Sequence, residues 1–317
     1  MGALMATPTH DEEITMPAFD TPQPIVAVID MATATIRINA SDRTDTVVEV
    51  RPDDQFNEAD VQAAQRTRVD YANGRLTVRT DREHGGGSAL GWGLSLDKLV
   101  ESPTRWARSL VLGPGSVDVT IDLPAGSRVD AKAAASLRCR GALGEVSFVT
   151  SYGDIEVERA GRLRLKSTYG DVSVGHASGH AEVTSAHGAI RVEEIDGTAA
   201  IRTSHGDVRL GEVTGELRLS SAHGDSTVDR ALAGVVAKTA YGSIQIGEVA
   251  SGSVVMETTG GGLELGIQEG TAAWLDVSSK YGTVDVSLDS SDGPGEADRI
   301  VEVRAHTTYG DIVIHRS

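Results

Sequence analysis

A short motif ending in glycine returns along the second half of this chain at nearly constant spacing, and it limits the fold more than any other feature. The glycines are Gly153, Gly170, Gly188, Gly206, Gly224, Gly242, Gly261, Gly282 and Gly310. The first gap is 17 residues, the next four are 18, and the last three are 19, 21 and 28. The residue before the glycine is Tyr152, Tyr169, His187, His205, His223, Tyr241, Gly260, Tyr281 or Tyr309, so five of the six tyrosines share one column. Two residues earlier every repeat carries a hydroxyl, from Thr150 through Ser185 and Thr203 to Thr307. A second glycine recurs midway, at Gly161, Gly179, Gly197, Gly215, Gly234, Gly252 and Gly270.

The residues around each glycine alternate. Two and four positions after it stand pairs such as Ile155/Val157, Ile190/Val192 and Ile312/Ile314, and only Ser226 breaks the apolar rule. Seven and five positions before it stand Val146/Phe148, Leu217/Leu219, Val303/Ala305 and their equivalents, all apolar. Alternation of this kind predicts two half-buried strands per repeat. An antiparallel meander would place unlike residues side by side. A solenoid stacks each strand on its copy about 4.8 Å away, so hydroxyl meets hydroxyl and ring meets ring. The columns therefore predict an all-β chain: a parallel, right-handed β-solenoid of coils about 18 residues long over residues 141–317. Glycines at both corners of a coil suit backbone with positive φ.

The preceding residues read as less regular β structure. Residues 1–23 read as a disordered extension and 24–140 as an N-terminal β cap, with IVAVID, ATIRINA and TVVEVR as strands. Asn57 begins a short helix through about Gln65. Asn73-Gly74 marks a hairpin. Residues 82–114 read as a flexible, partly helical insertion, in which Leu94, Leu96, Leu99, Val100, Trp106, Leu110 and Val111 cover an edge or meet a partner. No run of 18 apolar residues predicts a spanning helix. The opening residues lack a basic stretch followed by an apolar one, which predicts a cytoplasmic address; Met16 is a second candidate start beside Met1.

Chemistry is harder to find. A net charge of -17 opposes nucleic-acid binding, which needs clustered cations. The single cysteine, Cys139, excludes an internal disulfide and a cysteine-based zinc site. His187, His205 and His223 on consecutive coils are the weak metal candidates, although a straight column does not converge on one tetrahedral point. The Gly-Asp pairs at Asp154, Asp171, Asp207, Asp225 and Asp311 read as turns in which Asp caps its own backbone, not as a calcium site. Arg191 and Arg209 share an outward column with Glu156, which leaves open a polysaccharide-active β-helix enzyme. No motif of a hydrolase, metalloprotease or nucleotide-binding loop is present, so no catalytic or cofactor-binding residue is assigned and no cofactor is expected.

The run SYGDIEVERAGRLRLKSTYGDVSVGHASGHAEVTSAHGAIRVEEIDG resembles the bacterial "putative adhesin" β-strand-repeat family, also called the toastrack domain. MPAFDTPQPI, ASDRTDTVVEVRP and LPAGS are similar to members of that family too. The resemblance runs from Met16 onward and falters at about 82–114. It implies a β-solenoid without established catalytic residues, and some relatives belong to envelope-stress responses. The resulting expectation is a non-enzymatic scaffold or protein-interaction module. It would have an unidentified protein partner, no nucleic acid, and self-association through the solenoid ends. A surface adhesin is the alternative.

Overall fold

The computed structural model describes residues 16–80, 115–288 and 299–317. The insertion expected at about 82–114, and residues 1–15 of the expected N-terminal extension, lie outside the described residues. The first elements are β1 (Ala18–Asp20), β2 (Val26–Ser41), β3 (Asp45–Pro52), α1 (Glu58–Gln65), β4 (Thr67–Ala72), β5 (Arg75–Thr80), β6 (Val117–Pro124), β7 (Arg128–Thr150) and β8 (Ile155–Tyr169). From Val172 onward short strands alternate, two to a coil, as in Ala181–His187 followed by Ile190–Ile195. The fold is an all-β parallel solenoid with one short helix among the described residues.

Each strand of the regular coils pairs in parallel with its copy in the next coil. Val183 lies beside Ile201, Ile201 beside Leu219, and Leu219 beside Ala237. The other ladder sets Ile190 beside Val208 and Val208 beside Ser226. Inward positions are buried; Val183, Ile190, Ile201 and Val208 are all fully enclosed. A further apolar column, Ala177, Ile195, Val213, Ala231 and Val249, is buried where the alternation breaks after two outward residues. That break turns the chain toward the next corner and gives the core a third wall.

The stacking begins earlier than the glycine repeat. β2 lies parallel to β7, with Ile36 beside Leu137 and Ile38 beside Cys139. β7 runs unbroken across position 140, so the cap and the solenoid share one sheet. Antiparallel strands close this end: β3 pairs with β6, β1 with β3, and β4 with β5. Order also starts before residue 24, against the expectation of disorder up to residue 23. Phe19 in β1 packs 5.2 Å from the Tyr71 ring, and buried Thr21 shares a 2.8 Å hydroxyl hydrogen bond with Thr46. The Asn57 side chain caps α1 by accepting from the Ala59 N–H at 3.0 Å. Buried Asp60 then accepts from the Ser116 N–H at 2.7 Å and ties the helix to the start of β6.

At the other end the coil order departs from chain order. Gly252–Gly260 pairs with Arg299–Tyr309, and Arg299–Tyr309 in turn pairs with Thr271–Tyr281. The C-terminal coil is thus slotted between two earlier ones, and Thr271–Ser287 forms the end of the stack.

Candidate functional site

The ring column and the corner beside it are the most regular polar feature of the surface. Parallel register places Tyr152, Tyr169, His187, His205, His223 and Tyr241 over one another. Successive ring centroids lie 5.2, 4.7, 5.0, 4.8 and 5.4 Å apart. The spacing is the strand spacing itself, so the backbone sets the stack. Gly260 interrupts it, and a Cβ there would meet the Tyr241 ring at 3.2 Å. Tyr309 and Tyr281 resume the column 5.0 Å apart. Tyr169, covered on both faces, is 44% exposed, whereas Tyr152, Tyr241, Tyr281 and Tyr309 at the ends of the two stacks are 57–62% exposed.

The structure brings the three histidines together, yet their geometry does not suit a metal. Rings stacked 5.0 and 4.8 Å apart hold matching nitrogens about that far from one another. Two zinc–nitrogen bonds of about 2.1 Å span at most about 4.2 Å, even in a straight line. One ion could bridge adjacent rings only if the stack came apart. Among the described residues no group of His, Cys, Asp and Glu is arranged to hold a metal ion.

The Gly-Asp pairs work differently from the local turn expected of them. Each carboxylate reaches the neighbouring coil instead of its own backbone. Asp154 Oδ1 accepts from the Asp171 N–H at 2.9 Å, and Asp171 Oδ1 accepts from the Ala189 N–H at 2.8 Å. Asp207 and Asp225 repeat this to Asp225 and Ser243. Asp311 accepts from both the N–H and the hydroxyl of Thr283, each at 2.8 Å, and these bonds hold its carboxyl below the usual carboxylate range. The buried hydroxyl column lines the same corner: Ser185 and Ser221 donate to the carbonyls of His187 and His223. Every corner glycine of the ring motif except Gly282, which lacks the positive φ, is required twice over. Gly206 has φ 129°, and a Cβ on it would run into the Gly188 carbonyl. In the second glycine column the expectation of positive φ holds only at Gly197, Gly252 and Gly270. Gly179 is needed instead because a Cβ would lie 2.7 Å from the Gly161 carbonyl oxygen.

Arg191 and Arg209 stand side by side on adjacent coils, flanked by Ser173 and Thr227 on an open face. Both side chains are exposed, and Arg191 lies 3.5 Å from the Asp171 carboxylate. The concavities nearby are shallow: one of about 150 Å³ over Arg202, Arg218 and Lys238, and one of about 480 Å³ over Gly211, Gly247, Asp229 and Glu248. Charge, however, is sorted between the two ladders. The first presents Arg164, Lys166, Arg202, Arg218 and Lys238 outward, against Glu182, Glu216 and Glu257, which lie within ion-pair distance of all but Lys166. The second presents Glu156, Glu158, Glu193, Glu194, Asp229 and Glu248, with Arg159, Arg191, Arg209 and Arg230 among them. Sequence reasoning passed over this segregation, since it shows only when outward positions are gathered ladder by ladder.

A family model, Toastrack DUF4097, matches residues 27–315. The chain belongs to the toastrack family. No curated protein matches the sequence significantly. Three solved structures align with this toastrack chain along nearly its whole length at low identity. A "putative adhesin" from Bacteroides fragilis is 12% identical, with 97% of this chain and 98% of that one covered and a TM-score of 0.30. A "putative adhesin" from Parabacteroides merdae is 9% identical, covering 96% and 97%, with a TM-score of 0.39. A "putative lipid binding protein" from Parabacteroides distasonis is 10% identical, covering 94% and 96%, with a TM-score of 0.34. At these TM-scores none of the three bears on what the toastrack chain binds.

Proposed function

We propose that this toastrack protein is a non-enzymatic interaction module, a stiff rod that holds a protein partner along one outer ladder. The observation that carries this reading is the sorting of charge. Five cations line the ladder from Arg164 to Lys238 on a chain of net charge -17, and the concavity over Arg202, Arg218 and Lys238 is shallow and open. A face of this kind suits an elongated acidic partner, because in one of its columns Lys166, Arg202 and Lys238 recur at every second coil. The stacked corner supplies stiffness along the rod.

The module acts in the cytoplasm in this reading and takes part in an envelope-stress response. Among the described residues no helix is long and apolar enough to cross a membrane. The test is affinity capture of the tagged chain from stressed cells, with fractionation of the same cells. Arg202→Glu with Lys238→Glu reverses two exposed cations and leaves the core untouched. Loss of a captured partner in the variant supports the reading. Capture of nothing by the wild type, or a partner held equally by both, contradicts it. Recovery at the cell surface would favour the adhesin alternative.

A further inference from the structure

The two ends of the solenoid are finished differently. At the N-terminal end, antiparallel β3 and β1 close the sheet. At the other end the coil Thr271–Ser287 pairs only inward, with Arg299–Tyr309 and Ile312–Arg316; among the described residues its outer edge is unpaired. Its core positions are open as well. Val284 and Val286 are 43% and 37% exposed, whereas Val208 and Leu210 at the same column positions are 0% and 1% exposed. On the outer face of the same coil Trp274 is 61% exposed. An edge with free backbone groups and uncovered apolar side chains is a template for another strand.

We propose that a second copy of this chain docks on this edge about a two-fold axis. A two-fold axis reverses strand direction, so the segment Leu275–Tyr281 would meet its own copy antiparallel in an isologous contact. The strand is self-complementary in charge. With the axis at Ser278, Asp276 of each copy faces Lys280 of the other, twice over, on the outer face where both are exposed. Neither charge is strongly engaged within one chain. The Lys280 ammonium makes no ion pair among the described residues and lies 5.3 Å from the Tyr281 ring centre. Asp276 approaches His306 at 3.8 Å. On the inner side Leu275 and Val277 of both copies would join one apolar layer, and the exposed Val284 and Val286 would be covered. This contact is independent of the partner-binding ladder, since Lys238 lies three coils away.

Sedimentation of the purified full chain over a range of concentrations tests the proposal without any partner, so failure of the partner reading leaves it intact. The wild type is expected to form a dimer. Lys280→Asp sets Asp against Asp at both contacts, and Asp276→Lys sets Lys against Lys; each should weaken dimerisation by about tenfold or more. The double exchange, Asp276→Lys with Lys280→Asp, should restore it to within about twofold. All positions are exposed, so circular dichroism should be unchanged. A wild type that stays monomeric throughout, with its edge covered by its own chain, would overturn the proposal. So would a dimer that neither single reversal weakens.

Discussion

The imidazole of His205 lies face to face with that of His187, with ring centroids 5.0 Å apart and planes 2° from parallel. The contact follows from the parallel register that sets Ser185 beside Thr203 and Val183 beside Ile201. One relationship therefore fixes the ring, the hydroxyl and the core columns together.

If the ring column is a stack and not a ligand set, tyrosine can replace histidine in it. His205→Tyr should leave the thermal midpoint nearly unchanged, because Tyr169 and Tyr241 already occupy the column. His205→Gly should cost about 1 kcal/mol by removing two stacked contacts. Zinc should raise the melting temperature of the wild type no more than that of His205→Ala, measured calorimetrically.

At the adjoining corner, Gly206→Ala should be far more damaging than any change in the ring. The backbone is held at φ 129°, and the new Cβ would press on the Gly188 carbonyl. Strain and clash together should remove about 3 kcal/mol or more, read from denaturant unfolding.

Ser226 is the one polar residue in its apolar column, lying between Val208 and Ile244. It is 1% exposed, and its hydroxyl has no hydrogen-bond partner among the described residues. Ser226→Val should stabilise the protein by about 1 kcal/mol, since it removes an unsatisfied polar atom and adds apolar burial. A loss of stability would contradict this and show that the column between Val208 and Ile244 has no room for the added methyl.

Burial pushes the Cys139 thiol from an ordinary 9.0 up to about 12. The native state then keeps a proton that the unfolded chain has lost, so stability should fall as pH rises from about 9 toward about 12. The slope from this group is about 1.4 kcal/mol per pH unit. Cys139→Ala should remove that part of the decline, and a thiol reagent at neutral pH should label Cys139 only on unfolding.

Much of this architecture is legible in the sequence because each column repeats one residue type. Gly188, Gly206 and Gly224, the apolar pairs beside them and the hydroxyls before them predict parallel stacking, and all stack. The order of the last coils is not legible. Gaps of 21 and 28 residues reveal extra chain, yet nothing local says that Arg299–Tyr309 will slip between Gly252–Gly260 and Thr271–Tyr281. The aspartates are misread for a similar reason. Asp171 is close in sequence to its own turn, whereas its hydrogen bond goes to Ala189, one coil away. β2 escapes the repeat count because it carries no anchor glycine, although it stacks in parallel between β5 and β6 on one side and β7 on the other.

The most direct test of in-register stacking is a pair of engineered disulfides on the outer face. Thr184 lies beside Arg202 on the next coil. In a meander, Thr184 would instead face Arg191 across the turn at Gly188. Thr184→Cys with Arg202→Cys should oxidise readily to an intramolecular disulfide, because neighbouring strands hold Cα atoms within bonding reach. Thr184→Cys with Arg191→Cys should remain reduced. Cross-linking of the second pair and not the first, read by mass spectrometry of the non-reduced chain, would contradict the solenoid and everything built on its columns.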